Sequence, residues 1–289
     1  MSAVVALRSS LISHRGRSYR AVEGPGSAFT LRVVEPPAAA GAHTVALLHG
    51  MEEGWDVWDG FADGLAAQAR VSLLDLPWNG ARGHRWTDEA GAGAWIDRAL
   101  ALLPEPASAV IAHSFGANAL LEHLDARGPG ALRAVVLISP FYAGARGLDW
   151  PMLVRYVERF EPFLRAAVRA RQAPGRSCHD VTEAAALRIR DRMGALGCLQ
   201  FLNVVARTPF LRLQDVRIPV LIVGGEDDFY SLPGDCHRLA AALPRAEVRL
   251  LAGGGHFPMI EDRPRLLDLV QDFLSRSLEG TADHTVEDQ

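Results

Sequence analysis

The stretch Val110-Ile111-Ala112-His113-Ser114-Phe115-Gly116-Ala117-Asn118 constrains this chain more than any other. A short apolar run stops at a small residue, one residue short of a serine. A glycine follows two places later, and an Ala-rich stretch then begins at once. The pattern predicts a strand that hands a serine to a tight turn, with a helix leaving directly behind it. Such a turn lifts the hydroxyl clear of a sheet edge and aims the first helical N–H groups at whatever reacts with it. Ser114 is therefore a candidate nucleophile, and the rest of the chain must supply a base and a carboxylate to orient that base.

The surrounding sequence predicts a sheet that can carry this turn. Short, unbroken apolar runs at Val45–Leu48, Val71–Leu74, Val110–Ala112, Val135–Ile138 and Val220–Val223 read as strands buried on both faces. Phe29–Val34 precedes them, separated from Val45–Leu48 by a turn region at Pro36–Gly41, and Glu247–Leu251 closes the series. Ala-rich helical patterns lie between, over Trp58–Ala69, Ala90–Leu103, Ala117–Ala126 and Cys236–Ala242, with an amphipathic helix over Arg265–Leu278 at the end. This alternation predicts a mostly parallel sheet flanked by helices. From Pro140 to Leu213 the rhythm breaks into helix alone: 151–160, 163–171, then, after a loop at Pro174-Gly175, Val181–Met193 and Leu196–Ala206. The expected division is a core over 1–140, a helical lid over 141–212, the second part of the core over 213–279, and a flexible acidic tail over 280–289. A chain of 289 residues that is 49% hydrophobic suffices for one large core of this kind.

Both partners of a reactive serine stand after strands. Val220–Val223 runs into Gly224-Gly225-Glu226-Asp227-Asp228-Phe229, and the last strand runs into Ala252-Gly253-Gly254-Gly255-His256-Phe257-Pro258. At this point the chain resembles the α/β-hydrolase superfamily, in the group of serine hydrolases with a helical lid. The resemblance implies the α/β-hydrolase fold, with the lid inserted before the strand that bears the acid. It implies Ser114 as nucleophile and His256, in Gly255-His256, as base. It implies Asp228, three residues after Gly225, as the acid, with Asp227 as the alternative. Leu47-Leu48-His49-Gly50-Met51 resembles the family's His-Gly-x oxyanion loop, which implies oxyanion-binding amides on Met51 and Phe115.

The chain departs from the family in two places: Ala112 opens the serine motif where glycine is usual, and Asp75-Leu76-Pro77-Trp78-Asn79-Gly80-Ala81-Arg82 carries Trp78 and Asn79 where Gly and His are usual. Trp78, Asn79, Trp55 and Phe257 are therefore candidate substrate contacts. The acidic run Glu52-Glu53 beside the oxyanion loop is read as favourable charge at a helix N-terminus. His113 is expected to turn away from the reaction and serve packing or hydrogen bonding, and His49 is expected to support the oxyanion loop.

Other chemistries are less well supplied. A net charge of -4 gives no reason to expect a nucleic-acid partner. All 30 basic residues are arginine. Cys178, Cys198 and Cys236 lack disulfide or metal-ligand spacing and are expected as buried or half-buried free thiols. His43, His84, His179 and His237 show no ligand spacing either, so neither a metal nor an organic cofactor is expected. Val4–Leu7 is too short for the apolar core of a secretory signal, and no run reaches the roughly 18 apolar residues of a membrane span. A cytoplasmic enzyme acting on a small-molecule acyl substrate, as an ester or as a coenzyme A or acyl-carrier thioester, is the expectation. C–C bond hydrolysis, lyase or perhydrolase chemistry on the same residues, and a non-catalytic binding module of the same fold, remain open alternatives.

Overall fold

A computed structural model describes residues 8–15, 17–23, 32–35, 43–79, 84–145, 147–172 and 178–279. The expected turn at Pro36–Gly41, the Pro174-Gly175 loop, the start of the Phe29–Val34 strand, the Gly80–Arg82 part of the Asp75 loop and the tail over 280–289 lie outside the described residues.

The strands are β1 (Arg8–His14), β2 (Arg17–Glu23), β3 (Arg32–Glu35), β4 (Thr44–Leu48), β5 (Arg70–Asp75), β6 (Ala109–His113), β7 (Ala134–Ile138), β8 (Val220–Gly225) and β9 (Ala246–Leu251). They form one 9-stranded sheet in the order β1-β2-β3-β5-β4-β6-β7-β8-β9. From β5 to β9 every pairing is parallel, while β1, β2 and β3 join as an antiparallel edge. The helices are α1 (Phe61–Ala66), α2 (Ala92–Leu100), α3 (Phe115–Arg127), α4 (Trp150–Ala170), α5 (His179–Arg207), α6 (Pro233–Ala242), α7 (Pro258–Glu261) and α8 (Arg263–Glu279).

The apolar runs are continuous because each face of the sheet buries alternate residues. In β4, Val45 and Leu47 enter one core with Phe61, Val270 and Phe273, while Ala46 and Leu48 enter the other with Trp95, Leu120 and Leu239. The same alternation holds in β8, where Leu221 and Val223 face the first core and Val220 and Ile222 the second. Burying each such side chain is worth roughly 1.5–3 kcal/mol. That sum makes the register of the central strands hard to shift.

Four points differ from the reading of the sequence. The β1–β2 hairpin was not read from the sequence, because its strands are short of apolar residues; among the described residues of its strands, only Tyr19 and Ala21 are deeply buried. The single helix expected over Trp58–Ala69 is a 3-10 turn at Trp55–Trp58 followed by α1, broken at Gly60, whose φ of 73° lies in the left-handed region. The two helices expected over 151–171 are one, since α4 runs through Pro162. By contrast, the break expected near residue 195 is real: α5 is interrupted at Gly194, φ 54°. Of the thiols, Cys236 is buried and Cys198 half-buried, but Cys178 is exposed rather than covered.

The helical segment between β7 and β8 crosses the carboxyl ends of the strands. α4 opens on Asp149, whose Oδ1 accepts from the Met152 amide at 2.9 Å, with Pro151 in the first turn. No helix among the described residues is long and apolar enough to cross a membrane.

Candidate active site

Ser114 follows β6 directly, with φ 53° and ψ -122°. A side chain held there costs of order 1–3 kcal/mol, so the neighbours must impose it. They do so from both sides. The Ser114 amide donates to the Ile138 carbonyl at 2.8 Å, and the Ser114 carbonyl accepts from the Ala117 amide at 2.9 Å. Gly116 is required by close approach, since a Cβ there would stand 2.4 Å from the His49 carbonyl oxygen. The first turn of α3 can therefore lie against the His49-Gly50-Met51 loop.

His256 arrives from the loop after β9 and Asp228 from the loop after β8. His256 Nδ1 lies 2.7 Å from Asp228 Oδ2, and His256 Nε2 lies 2.9 Å from Ser114 Oγ. With Nδ1–H donating to the carboxylate, Nε2 carries the lone pair that the serine hydroxyl faces. Asp228 Oδ1 accepts from the Tyr230 and Ser231 amides at 2.9 and 3.0 Å, which fixes the carboxyl plane. Of the Asp227/Asp228 alternatives, it is Asp228 that meets the histidine; Asp227 is exposed. The three side chains are nearly closed off, Ser114 at 8%, Asp228 at 3% and His256 at 5% exposure.

The oxyanion-loop residues behave as a braced unit. His49 is wholly buried; its Nδ1 donates to the Gly50 carbonyl at 2.8 Å and its Nε2 accepts from the Leu76 amide at 2.9 Å. Burial pushes its pKa down, which suits a neutral ring with that hydrogen-bond pattern. The Gly50 amide donates to Glu53 Oε2 at 2.6 Å. Among the described residues, neither the Met51 amide nor the Phe115 amide has an acceptor.

The candidate substrate contacts divide. Phe257 is buried edge-on to His256, with ring centroids 5.1 Å apart. Trp78 is enclosed in the core; its Nε1 donates to the His49 carbonyl and its ring meets Phe115 edge-on at 5.1 Å, so it braces the oxyanion loop and the serine turn from below rather than facing a ligand. Asn79 is buried and donates to Asp75 Oδ1 at 2.9 Å. Trp55 packs against His14 and Tyr19 of the β1–β2 hairpin, at 4.9 and 5.1 Å between centroids.

The acidic pair also differs from expectation. Neither glutamate decorates a helix N-terminus. Glu52 reaches the lid, taking Arg192 Nε at 2.6 Å and His84 Nε2 at 2.5 Å. Glu53 points inward, with Oε2 3.0 Å from His113 Nδ1. Burial would raise its pKa, but the His113 ring, the Arg171 charge and the Gly50 amide outweigh it and hold the carboxyl down at about 2. His113 turns away from Ser114, as expected, and its Nε2 donates to the His256 carbonyl at 2.9 Å.

Sequence reasoning missed the aromatic surround. Phe163 from α4 meets His256 edge-on at 4.8 Å and stacks on Tyr230 at 4.2 Å, while Phe141 lies 5.8 Å from the same histidine. Only the density of aromatics in the lid pattern hinted at it.

Comparisons with known proteins follow the same outline. The chain is 26% identical over 248 residues to the pimeloyl-[acyl-carrier protein] methyl ester esterase of Xanthomonas campestris pv. campestris, spanning 80% of this chain and 94% of that protein. The crystal structure of an esterase from Rhodococcus sp. ECU1013 superposes with a TM-score of 0.61 at 19% identity, covering 94% of this chain and 99% of that one. A thioesterase domain from the curacin biosynthetic pathway superposes with a TM-score of 0.59 at 18% identity, covering 92% and 99%. The model of the alpha/beta hydrolase family matches residues 45–269, which run from the strand before the oxyanion loop, through the serine turn and the lid, to the last helix. By that match, and by a sheet that sets Ser114, Asp228 and His256 at its carboxyl edge, this chain belongs to the alpha/beta hydrolase family.

Proposed function

We propose that the protein is a serine hydrolase that cleaves an ester or thioester of a mainly apolar small molecule through an acyl-enzyme on Ser114. The observation that carries this reading is the unbroken line from Ser114 Oγ to His256 Nε2, at 2.9 Å, and from His256 Nδ1 to Asp228 Oδ2, at 2.7 Å. In this reading Ser114 Oγ attacks the carbonyl carbon as His256 Nε2 takes its proton. Asp228 holds the imidazole tautomer and stabilises the imidazolium. The Met51 and Phe115 amides, which have no acceptor among the described residues, receive the developing oxyanion; Gly50 cannot join them while its amide is held by Glu53. His256 then protonates the leaving alkoxide or thiolate. Water, losing its proton to the same nitrogen, attacks the acyl-enzyme, and Ser114 leaves with a proton returned from His256.

The aromatic surround of Phe141, Phe163, Tyr230 and Phe257 supports an apolar acyl chain over a charged one. The relative from Xanthomonas is an esterase whose name specifies an acyl-carrier-bound methyl ester, which supports including acyl-carrier conjugates among the substrates.

The test is turnover of p-nitrophenyl esters and acyl thioesters of graded chain length, with rapid acid quench and mass measurement. The expected result is product release with a transient mass increase equal to the acyl group, located on Ser114. Turnover that persists in Ser114→Ala, or no turnover of any ester or thioester, would overturn the proposal.

A further inference from the structure

The geometry points to Glu53 and His113 as a pair of positioning residues that hold the base and the oxyanion loop in mutual register, an inference that rests on the serine-hydrolase reading above. Glu53 and His113 are both buried, and no step of that reaction uses either of them. Yet between them they grip two separate parts of the site. Glu53 Oε2 accepts from the Gly50 amide at 2.6 Å, one residue before the amide of Met51. The same oxygen lies 3.0 Å from His113 Nδ1. The other ring nitrogen of His113 lies 2.9 Å from the carbonyl oxygen of His256. A continuous path therefore runs from the oxyanion loop, through a carboxylate and an imidazole, to the backbone of the residue that faces Ser114.

The chemistry of the path fixes its direction. The His256 carbonyl can only accept, so His113 Nε2 donates to it. The Glu53 carboxyl, already accepting from Gly50, is held ionised by its surroundings and accepts again from Nδ1. Ser139 Oγ adds a second donor to the His256 carbonyl at 3.2 Å. Space is as tight as bonding: a Cβ on Gly50 would stand 3.1 Å from both the Glu53 carboxyl and the Ser114 Cβ. Loss of the path would free the His256 backbone and the Gly50-Met51 peptide to shift independently. Reaction geometry is lost steeply with such shifts, at about 100-fold in rate for a displacement near 1 Å.

The pair can be separated from a merely structural role by chemistry. Glu53→Gln keeps the shape and the links while removing the charge: the Gln oxygen, standing where Oε2 stands, can accept from both the Gly50 amide and His113 Nδ1–H, and Nε2–H still donates to His256. Glu53→Leu and His113→Phe keep the volume and remove the links. The experiment compares these three variants with the native protein by kcat and KM on a p-nitrophenyl ester, and by the rate of fluorophosphonate labelling at Ser114, each scaled to protein that retains the native near-UV circular dichroism. The expected result is a fall in kcat and in labelling rate of about 100-fold for Glu53→Leu and His113→Phe, with KM little changed, and recovery of most of that loss in Glu53→Gln. Native rates in folded Glu53→Leu or His113→Phe would overturn the inference. If the Leu and Phe variants do not fold, a folded Glu53→Gln protein that itself loses about 100-fold in kcat and labelling rate would overturn the inference, and one near the native rates would support it. A native protein whose Ser114 fails to label would instead overturn the serine-hydrolase reading, and this inference with it.

Discussion

The carboxyl edge of the sheet and the helical cap above it are built by different means. At the edge, β4, β6, β7 and β8 are buried along their whole length, and each strand end delivers a residue whose backbone is already hydrogen-bonded to its neighbour. In the cap, α4 buries only Tyr156 and Leu164 deeply, α5 buries chiefly its second half, with Phe201, Val204 and Val205, and exposed ion pairs such as Arg190–Glu161 join the two helices. Buried apolar contact and protected backbone bonds give high local stability, whereas exposed ion pairs give little. The difference teaches that the placement of Ser114, Asp228 and His256 is set from below, by the sheet, while the cap lies over that edge. Glu52 and Glu53 mark the boundary: the first bonds upward to Arg192 of the lid, the second inward to His113.

Substitutions at the edge should therefore have the larger effects. Ser114→Ala is expected to lower ester turnover by at least about 10⁴-fold with the fold retained, as read by kcat and circular dichroism. Asp228→Asn should leave the Tyr230 and Ser231 amides bonded while upsetting the His256 tautomer, and a loss of about 10⁴-fold in kcat is expected. If either variant kept native turnover, the claim that the edge sets the reaction would break.

Glu53 sharpens the comparison through pH. Its folded pKa of about 2 lies below the ordinary carboxylate value, so the native state binds fewer protons than the unfolded chain as pH falls between roughly 4.5 and 2. The ionised carboxylate therefore contributes stability that is fully present above about pH 4.5 and is lost as pH falls through about 2, on the order of 3 kcal/mol in all. Urea unfolding across that range should show the difference between native protein and Glu53→Gln narrowing as the solution is acidified. A constant difference would contradict a Glu53 carboxyl held ionised in the native state.

Cap substitutions should change selectivity before stability. Phe163→Ala opens space beside His256 and Tyr230, and kcat/KM for long acyl esters is expected to fall by about 10- to 100-fold relative to acetyl esters. Equal losses on both would mean that Phe163 supports the base rather than the acyl chain. The smallest effect belongs to Arg190→Ala, whose partners Glu161 and Asp191 are exposed on the lid surface; its melting curve should overlay that of the native protein.

The same contrast explains what the sequence disclosed. The central strands were legible because burial on both faces demands unbroken apolar runs; Ser114 and Asp228 stood past the ends of such runs, while His256 was read from its Gly-His motif after the half-buried β9. The β1–β2 hairpin was not, since an edge pair with one open face needs only Tyr19 and Ala21 inside. Glu53 was misread for a related reason: beside Glu52, Asp56 and a helical turn, nothing local signals that its partner is His113, 60 residues along the chain. Trp78 looked like a substrate contact because it interrupts a family pattern, yet its size fills the space under Phe115 and His49. The lid's interior could be inferred as helix but not as surfaces, because α4 and α5 carry apolar residues on exposed faces, Trp150 and Leu199 among them.

The most direct measurement is the mass of the protein after brief exposure to a fluorophosphonate, followed by peptide mapping, with Ser114→Ala alongside. A single adduct on Ser114, absent from the variant, is the expected result. A folded native protein that gains no adduct there, or an adduct that persists in Ser114→Ala, would contradict it.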